Sequence, residues 1–527
     1  MICSSVNFFI KRCLRAGVQT ARRRGESKMV FEVTIPMEEV RRCILCHDAP
    51  CGKSCPKGIA PHQLLRSLHF DNEIGAAMRL SEDNPCVGCS APCESACLLR
   101  ERPVAIQKIF SALSEDKKRM EPLPNGRSDL SCTFCGVRLE NPFLLSSSVV
   151  ASSYEMVARA FEMGWAGAAY KTLCDFVPRE ASPRFSVLRG EGNSFYGFKN
   201  IEQLSCNGLT EDLDIIRRLR RDFPQKAIFA SIMGRNEKEW ERLARQCQEA
   251  GANLIECNFS CPNMEQDGLG VDIGQSPELV ARFTAAVRRG CSLPLLVKLT
   301  PNVGDMTPMA VAAMSSGADG LAAINTIKSV MGMNLDTYAT EPSVRGLSGV
   351  GGYSGKAVKP IALRFIWELA ACPALKNVPI SGMGGIETWR DAAEFLLLGA
   401  QNVQITTAVM QYGYRIIDDL VDGLDCYLRE KGLRSVTELI GLGVPNVAAL
   451  DHLDRNSVQY PKFERSRCLG CGRCYLACRD GGHSAIELRN GRPILHVKKC
   501  VGCHLCVAVC PAGAVSGHGK RLNMGVV

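Results

Sequence analysis

The sequence predicts an α/β protein in which a (β/α)8 TIM barrel lies between two cysteine-rich domains, an α-helical one before it and a small one after it. Two observations predict this arrangement. Short apolar runs alternate with longer amphipathic ones eight times over the middle of the chain, and 16 of the 28 cysteines fall into two groups, one near each end. A chain of 527 residues has room for roughly two to four domains.

The eight apolar runs have the length and composition of buried parallel strands, and most are separated by amphipathic helical stretches such as "NEKEWERLARQCQEAG". Eight such units in sequence are typical of a closed barrel. An open doubly wound sheet is the alternative, but no G-x-G-x-x-G follows a strand; "GVGGYSG" has the wrong spacing and position. The predicted strands are "FLLSSSVV", "AGAAYKTL", "KAIFASIM", "NLIECNFS", "PLLVKLT", "GLAAINT", "PISGMGG" and "NVQITTA".

Composition excludes several functional classes. A hydrophobic content of 46% with 22% charged residues is that of a soluble globular protein, and no apolar run reaches the roughly 18 residues of a membrane span. Residues 1–30 hold seven Lys or Arg and one Glu, so they supply six of the nine net positive charges. The remaining charge is too small for a nucleic-acid-binding face. We therefore expect neither a nucleic-acid nor a membrane partner.

Residues 1–35 are predicted to be a basic, disordered leader. They contain "KRCLRAGVQTARRRG", which is Arg-rich and nearly free of acid. A transit peptide has this composition, and a leader upstream of a true start at Met29 would share it. No secretory signal with an apolar core is evident, and the cysteine groups fit a reducing compartment, so we expect a cytoplasmic protein.

The C-terminal cysteines form two runs, "CLGCGRCYLAC" and "CVGCHLCVAVCP", each with the spacing C-x2-C-x2-C-x3-C. This is the spacing of two-cluster ferredoxins, in which the fourth cysteine of each run ligates the other cluster. A zinc site is the alternative. We predict that one [4Fe–4S] cluster is held by Cys468, Cys471, Cys474 and Cys510, and the second by Cys500, Cys503, Cys506 and Cys478.

The N-terminal cysteines lie in "CILCHDAPCGKSCPKGIAP" and "NPCVGCSAPCESAC", with helical periodicity between the two stretches. Eight thiols can hold two cubanes, so we expect one or two further [4Fe–4S] clusters, with zinc as the alternative. Spacing leaves the pairing of ligands open. The candidate ligands are Cys43, Cys46, Cys51, Cys55, Cys86, Cys89, Cys93 and Cys97.

The cysteine groups and the alternating runs together predict the domain boundaries. After the leader, we expect a helical iron–sulfur domain at 36–113, a linker at 114–128, the barrel at 129–432, a connector at 433–460, the ferredoxin domain at 461–515 and a tail at 516–527.

Polar residues end most of the predicted strands, where barrel enzymes place their chemistry. Small residues and backbone amides at the seventh and eighth strand ends suit a phosphate, and lysines on the same rim make FMN the expected cofactor. Lys298 is predicted to stabilise the negative charge of the reduced flavin, with Lys171 also near the ring. The predicted cofactor-binding residues are Ser147, Ser148, Lys171, Thr172, Lys298, Gly355, Gly384, Gly385, Thr406 and Thr407.

Cys261 lies in "ECNFSCPN", just past the fourth strand, without the spacing of a cluster ligand. A rim position is where a general acid would stand, and a thiol titrates close to working pH. We therefore predict that Cys261 is a proton donor.

The barrel and the C-terminal domain resemble the FMN and iron–sulfur subunit of bacterial dihydropyrimidine dehydrogenase. The matching stretches are "NPFLLSSS", "GFKNIEQL", "ECNFSCP", "KLTPN", "AINT", "GYSGKAVKPIALRF" and "GGIETW". The N-terminal group resembles the helical double-cluster domain of glutamate synthase small subunits and dihydropyrimidine dehydrogenases. It departs from them in a shortened stretch after Cys97 and in Phe110, where the family has Glu or Gln.

The resemblance implies reversible reduction of the C5=C6 bond of uracil or thymine. Cys261 would exchange a proton at C5 while the flavin exchanges a hydride at C6. The Gly-rich loop after Cys261 is either a lid or a plain surface loop. The resemblance further implies that the pyrimidine is bound by Asn200, Glu202, Asn258, Ser260, Asn325 and Thr326.

The resemblance also implies an outside electron donor, because no nicotinamide- or FAD-binding fingerprint is present. The donor would be an FAD subunit that oxidises NAD(P)H or a soluble ferredoxin, with residues 36–113 as the module that receives the electrons. The assembly would be a homodimer or a heterotetramer.

Two other functions remain open. Dihydroorotate dehydrogenase shares the barrel and FMN, although Glu202 would repel the orotate carboxylate unless a cation intervened. An electron-transfer adaptor, a polyferredoxin on an inactive barrel, is opposed by Cys261, Lys298 and Asn258.

Overall fold

The structure is a computed structural model that describes residues 35–80, 84–190, 195–264 and 270–523. The predicted basic leader, apart from Ile35, lies outside the described residues, and so does much of the Gly-rich loop that follows Cys261. The chain divides into two compact units, the first ending at Val444 and the second beginning at Pro445.

The first unit opens with six helices that carry the N-terminal cysteines. Their buried side chains, among them Leu64, Leu68, Ile109 and Phe110, form a hydrophobic core of their own. The helices are α1 Met37–Arg41, α2 Pro50–Lys53, α3 Pro61–His69, α4 Glu73–Arg79, α5 Pro92–Ser95 and α6 Ile106–Arg119.

A closed barrel of eight parallel strands follows, in the order β3-β4-β7-β8-β9-β10-β13-β14 and back to β3. These eight strands coincide with the eight that the sequence predicts, so the predicted fold class is confirmed. The strands of the first unit are β1 Cys132–Phe134, β2 Val137–Leu139, β3 Phe143–Leu145, β4 Gly167–Leu173, β5 Phe185–Arg189, β6 Phe195–Asn200, β7 Ala227–Ile232, β8 Leu254–Asn258, β9 Leu295–Lys298, β10 Gly320–Ala323, β11 Ile327–Ser329, β12 Gly351–Ser354, β13 Ile380–Met383 and β14 Asn402–Ile405.

Four of the helices around the barrel begin at a side-chain cap. Asn236 accepts a hydrogen bond from the backbone N–H of Glu239, and Thr388 forms a capping box with Asp391. These helices are α7 Tyr154–Glu162, α8 Leu209–Asp222, α9 Glu237–Glu249, α10 Val271–Gly274, α11 Pro277–Gly290, α12 Thr307–Ser315, α13 Lys359–Ala371, α14 Trp389–Leu397, α15 Thr407–Tyr412 and α16 Ile417–Glu430.

Two hairpins inserted after β4 and β10 join into one antiparallel sheet, in the order β11-β12-β6-β5. The pairing of β6 with β12 sets Asn200 opposite Gly352. Because each hairpin leaves the C-terminal end of a barrel strand, the sheet adds Asn200 and the following Glu202 to the rim where the strand-end residues lie.

The helical domain packs against the last two long helices of the barrel. Arg66 on α3 pairs with Asp419 on α16, with 2.6 Å between Nε and Oδ2, and the Ser67 hydroxyl donates to Oδ1 of the same carboxylate at 2.7 Å. Leu45 and Phe70 belong to the hydrophobic core of the barrel. The helical domain and the barrel therefore share one continuous unit.

The second unit is a small α+β domain. Its core comprises Ile486, Cys506 and Val515, with partly buried side chains packed around them. Its elements are β15 Ser457–Gln459, β16 Lys462–Phe463, α17 Arg473–Gly481, β17 Ile486–Arg489, β18 Arg492–Leu495, α18 Leu505–Ala508, β19 Val515–Ser516 and β20 Arg521–Asn523, with β15 paired to β20, β16 to β19 and β17 to β18.

Secondary-structure elements extend across three of the predicted domain limits. Helix α6 continues through Arg119, six residues beyond the predicted end of the helical domain at 113. Strand β15 lies in the predicted connector and pairs with β20 in the predicted tail. The first and last strands of the ferredoxin unit pair with each other although they lie about 60 residues apart in sequence, and local periodicity does not reveal such a pairing.

In the part of the chain described, no helix is long and apolar enough to cross a membrane.

Candidate active site

A cleft of about 1100 Å³ opens at the C-terminal ends of the barrel strands. This volume includes space that is open to solvent. Sixteen of the seventeen predicted cofactor, substrate and catalytic residues line it. They are Ser147, Ser148, Lys171, Thr172, Asn200, Glu202, Asn258, Cys261, Lys298, Asn325, Thr326, Gly355, Gly384, Gly385, Thr406 and Thr407.

Ser260 is the residue that does not line the cleft. It is fully buried, its hydroxyl donates to Oδ1 of Asn258 at 3.1 Å and accepts from Nδ2 of Asn325 at 2.9 Å. The structure therefore places Ser260 behind two predicted substrate ligands, where it fixes their amide orientations.

One side of the cleft is a cradle of glycines and hydroxyls. Gly355, Gly384 and Gly385 have φ of +89°, +123° and +80°, and a Cβ on Gly385 would lie 2.9 Å from the carbonyl oxygen of Gly355. The Thr406 and Thr407 hydroxyls lie 3.0 Å from those of Ser148 and Ser354, respectively. Bare backbone and hydroxyl donors at these two strand ends fit a phosphate, as FMN requires.

Lys298 reaches into the floor of the cleft from β9. Its Nζ lies 3.0 Å from Ser147 Oγ, 3.3 Å from Ser146 Oγ and 3.4 Å from Oε1 of Glu256. Lys298 is only 3% exposed, so its charge acts in a poorly screened environment. This is the setting in which an ammonium stabilises negative charge on a bound flavin.

A second charged group lies across the cleft. Lys171 Nζ is 2.8 Å from Oε2 of Glu202, whose Oε1 lies 3.1 Å from the Arg184 guanidinium. The trio carries one net positive charge. Glu202 therefore meets a substrate as a neutralised carboxylate, which can accept hydrogen bonds without a large field of its own.

Cys261 lines the same cleft and is 6% exposed. Burial raises the pKa of its thiol above the ordinary value, while the Asn263 backbone and the ammonium groups of Lys171 and Lys298 act against that shift. The thiol is therefore protonated at neutral pH. A protonated thiol inside the cleft has the state that a general acid needs.

Amide side chains surround this thiol. Asn258 Nδ2 donates to the Thr172 hydroxyl at 2.9 Å, and Asn263 Nδ2 donates to Asn200 Oδ1 at 3.0 Å and to the Glu202 carbonyl at 2.7 Å. Each amide is fixed by a protein partner and keeps further donor or acceptor capacity. The set suits a flat ring with alternating donors and acceptors.

Sequence reasoning missed four residues of the site: Arg184, Asn263, Glu256 and Gln404. Asn263 and Gln404 line the cleft, Arg184 pairs with Glu202 and Glu256 contacts Lys298. Glu256 was visible as a charged residue inside an apolar strand run, and Asn263 directly follows Pro262. Arg184 gave no local signal.

The C-terminal cysteines line two separate cavities, and each cavity has four of them. Backbone N–H groups of Ala485, Gly502 and Ala514 donate to the sulfurs of Cys478, Cys500 and Cys510 at 3.2–3.4 Å, as donors do around cubane ligands. The division matches the crossover pairing predicted from the spacing. One cavity has Cys468, Cys471, Cys474 and Cys510, and the other Cys478, Cys500, Cys503 and Cys506.

The thiol neighbours of the N-terminal cysteines favour a division into two sets, a pairing that the sequence left open. Burial raises the pKa of Cys51 to about 11, helped by its neighbours Cys43, Cys46 and Cys97. Burial likewise raises the pKa of Cys86 to about 11, helped by its neighbours Cys93, Cys89 and Cys55. Phe110, which offers no ligand atom, is buried in the core. From these neighbours we expect Cys43, Cys46, Cys51 and Cys97 to ligate one cluster, and Cys55, Cys86, Cys89 and Cys93 the other.

The cysteine sets do not form a recognisable site for a single metal ion. In the described ranges, no group of three or more His, Cys, Asp or Glu side chains is arranged to hold a metal ion.

A barrel with a glycine cradle, a buried lysine and a protonated thiol at its mouth, joined to cysteine-rich domains, defines a flavin-dependent oxidoreductase with iron–sulfur electron transfer. The family comparison agrees. Residues 129–428, more than half of the chain, match the family model described as dihydroorotate dehydrogenase, and the chain belongs to that family. Residues 462–516 match a 4Fe-4S dicluster domain, and residues 21–121 match the 4Fe-4S domain II of dihydropyrimidine dehydrogenase. The family binds FMN.

Curated relatives share much of the chain. It is 54% identical over 359 residues to the NAD-dependent dihydropyrimidine dehydrogenase subunit PreA of Escherichia coli K12, covering 68% of this chain and 87% of PreA. It is 35% identical to the chloroplastic dihydropyrimidine dehydrogenase (NADP(+)) of Arabidopsis thaliana, over 59% of this chain and 76% of that one. It is 38% identical to the dihydroorotate dehydrogenase B (NAD(+)) catalytic subunit of Pyrococcus abyssi, over 60% of this chain and 99% of that one.

A solved structure shares the fold. The crystal structure of DHODH in complex with ferulenol from Eimeria tenella superimposes with a TM-score of 0.50 at 20% identity, covering 61% of this chain and 91% of that one.

Proposed function

We propose that the chain is the catalytic subunit of a dihydropyrimidine dehydrogenase, which reversibly reduces the C5=C6 bond of uracil or thymine. The observation that carries the proposal is Cys261: a buried, protonated thiol in the same cleft as the glycine cradle and Lys298. The 54% identity to PreA over 359 residues supports the choice of substrate class.

The division of chemical labour follows from the site. Bound FMN supplies hydride transfer and converts it to single-electron steps. Cys261 holds the proton that the adjacent ring carbon receives and takes it back in the reverse direction. Lys298 offers positive charge where the cofactor becomes negative.

Substrate binding is assigned to the amides and hydroxyls of the cleft. Asn200, Asn258 and Asn325 can each donate and accept hydrogen bonds, as the N–H and C=O groups along the edge of a pyrimidine ring require. The neutralised Glu202 and Thr326 complete the set. Ser260 acts through Asn258 and Asn325, whose side chains it holds.

The electron partner is proposed to be a subunit that holds FAD and oxidises NAD(P)H, or a ferredoxin, in a homodimer or heterotetramer. PreA is named as a subunit, which supports a multi-subunit assembly. The clusters of residues 36–113 would receive the electrons. No disulfide joins the cysteines of the described residues, consistent with a reducing compartment such as the cytoplasm.

Dihydroorotate is the second candidate substrate, and one observation favours it. Lys171 and Arg184 both contact Glu202, so the carboxylate that was expected to repel orotate is balanced by two cations. The relatives named dihydroorotate dehydrogenase B reach 38% identity.

The deciding experiment is anaerobic purification with iron and FMN quantitation, followed by oxidation of dihydrouracil, dihydrothymine and dihydroorotate. We expect about one FMN per chain and turnover of a dihydropyrimidine. Cys261→Ala is expected to lose roughly 10²–10⁴-fold in turnover, the usual contribution of a general acid, while keeping FMN and iron. Cys206→Ser, at an exposed cysteine, is the matched control.

Each other outcome selects an alternative. Preference for dihydroorotate would favour the second candidate. Flavin that stays reduced with every pyrimidine would favour the electron-transfer adaptor. Equal loss of cofactor and activity in Cys261→Ala would make the residue structural.

A further inference from the structure

A buried carboxylate lies beneath the floor of the cleft and contacts three residues that line it. Glu256, on β8, is fully buried. Its Oε1 accepts from the Ser147 hydroxyl at 2.7 Å and lies 3.4 Å from Lys298 Nζ. Its Oε2 accepts from Gln404 Nε2 at 3.2 Å. Side chains from three different strand ends therefore converge on one carboxylate.

Fold stability does not account for this carboxylate. A buried ion pair must repay the desolvation of both charges, and replacing such a pair by packed apolar residues is often neutral or stabilising. On β8 itself, the residues on either side of Glu256, Ile255 and Cys257, are apolar and fully buried. The charge of Glu256 therefore acts on the cleft, through the three cleft-lining side chains that contact it.

Gln404 shows what Glu256 does to a neighbour. Its Nε2 donates both to Glu256 and, at 3.1 Å, to the Ser381 hydroxyl, which fixes the amide. Its Oε1 is buried and has no protein partner among the described residues. Gln404 lines the cleft. Its Oε1 is therefore free to accept a hydrogen bond from a donor group of a bound ligand.

We propose that Glu256 is a positioning residue that sets the reduction potential of the bound flavin. It holds Lys298 and Gln404 in place and offsets part of the positive charge that Lys298 presents. Without Glu256, the ammonium would stabilise the negative charge of the reduced flavin more strongly, because its paired carboxylate would no longer oppose it at low dielectric. Glu256 thereby keeps the reduced flavin a good hydride donor. The inference rests on flavin binding in the proposed function and on no particular pyrimidine.

The test is the two-electron midpoint potential of the flavin in purified holoprotein, measured by spectroelectrochemistry. Glu256→Gln keeps the shape and an acceptor for Ser147 but removes the charge. We expect the reduction equilibrium to shift at least tenfold toward the reduced flavin, about 30 mV upward for a two-electron couple. Sulfite affinity, which also reports positive charge beside the flavin, should rise in parallel.

Two controls separate tuning from general disturbance. Lys298→Met should shift the potential in the opposite direction. Asp212→Asn removes another buried barrel carboxylate, one that accepts from Tyr170 at 2.8 Å and does not line the cleft, and should leave the potential unchanged.

An unchanged potential in Glu256→Gln, or a shift no larger than that of Asp212→Asn, would overturn the inference. If Glu256→Gln loses flavin, Glu256→Asp decides, because it keeps the charge: retained flavin with a wild-type-like potential supports tuning by charge, and lost flavin shows a purely structural role. Wild-type protein that binds no FMN would instead defeat the proposed function.

Discussion

The two cysteine-rich ends of the chain are built differently, although each carries eight candidate cluster ligands. The N-terminal helices have a core of fourteen buried hydrophobic residues and are tied to the barrel by ion pairs. The core of the C-terminal unit comprises three buried residues, one of which, Cys506, is itself a predicted ligand. The first domain can hold its shape around a cluster, whereas the second depends on the clusters as its core.

The two ends also differ in the exposure of the arginine that lies beside their candidate ligands. Arg415 of the barrel donates to the carbonyls of Leu45 and Cys46 at 2.5 and 3.3 Å, within the N-terminal ligand loop. In the C-terminal unit, Arg492 donates to the carbonyl of Cys468 from an exposed position. The first guanidinium is partly buried and the second is screened by water.

The largest expected effect comes from removing one buried ligand at each end. Cys506→Ala should lose amide protection across residues 457–523, because a [4Fe–4S] cluster is lost from a unit with almost no other core. Cys93→Ala, equally buried, should lose iron while α3, α4 and α6 stay protected. Hydrogen exchange measures the amide protection, and iron quantitation measures the loss of the cluster. Equal loss of protection at both ends would break the comparison.

The next effect concerns the contact between the helical domain and the barrel. Arg66→Ala leaves the carboxylate of Asp419, which is fully buried, without its cation. We expect destabilisation of about 3–5 kcal/mol, the usual cost of an unpaired buried charge, seen as lost protection in α3. Lys118→Ala removes an exposed pair with Glu115 in the same domain and should cost less than about 1 kcal/mol. Matching losses for the two variants would contradict the role of Arg66.

A smaller effect follows from pH. His69 packs edge-on against Phe70 and Tyr412, and burial, helped by Lys356 and Arg41, lowers its pKa from 6.5 to about 4. Folding therefore favours the neutral ring, so stability is complete above pH 6.5 and falls as the pH drops toward 4. The loss reaches a few kcal/mol at most. Protection of α3 measured from pH 7 to pH 5 should fall in the wild type and fall less in His69→Phe.

The smallest effect sharpens the electrostatic difference. Arg415→Gln removes a cation beside the N-terminal ligands and should lower the potential of one N-terminal cluster by about 59 mV, a tenfold change for a one-electron couple. Arg415→Lys should restore much of the shift. Arg492→Gln should move a C-terminal cluster less, because solvent screens that charge. EPR-monitored redox titration measures the potentials of the individual clusters. A larger shift in potential for Arg492→Gln than for Arg415→Gln would contradict the role given to solvent screening.

How far the site could be predicted differs from residue to residue. Lys298, Asn258 and Thr406 were found because each ends a strand, and a parallel barrel brings all strand ends to one rim. Arg184 could not be found, because it pairs with Glu202 across a hairpin that local patterns do not place. Ser260 was predicted to bind substrate, but its position behind two asparagines depends on the packing of three strands.

By itself the sequence determined the fold class and the eight barrel strands, and it predicted the crossover pairing of the C-terminal cysteines, since periodicity and short spacings are local properties. The tertiary structure decided the neutralisation of Glu202 and the convergence of Ser147, Lys298 and Gln404 on Glu256. Those contacts join residues far apart in the chain, and their energies depend on burial, which only the folded molecule fixes.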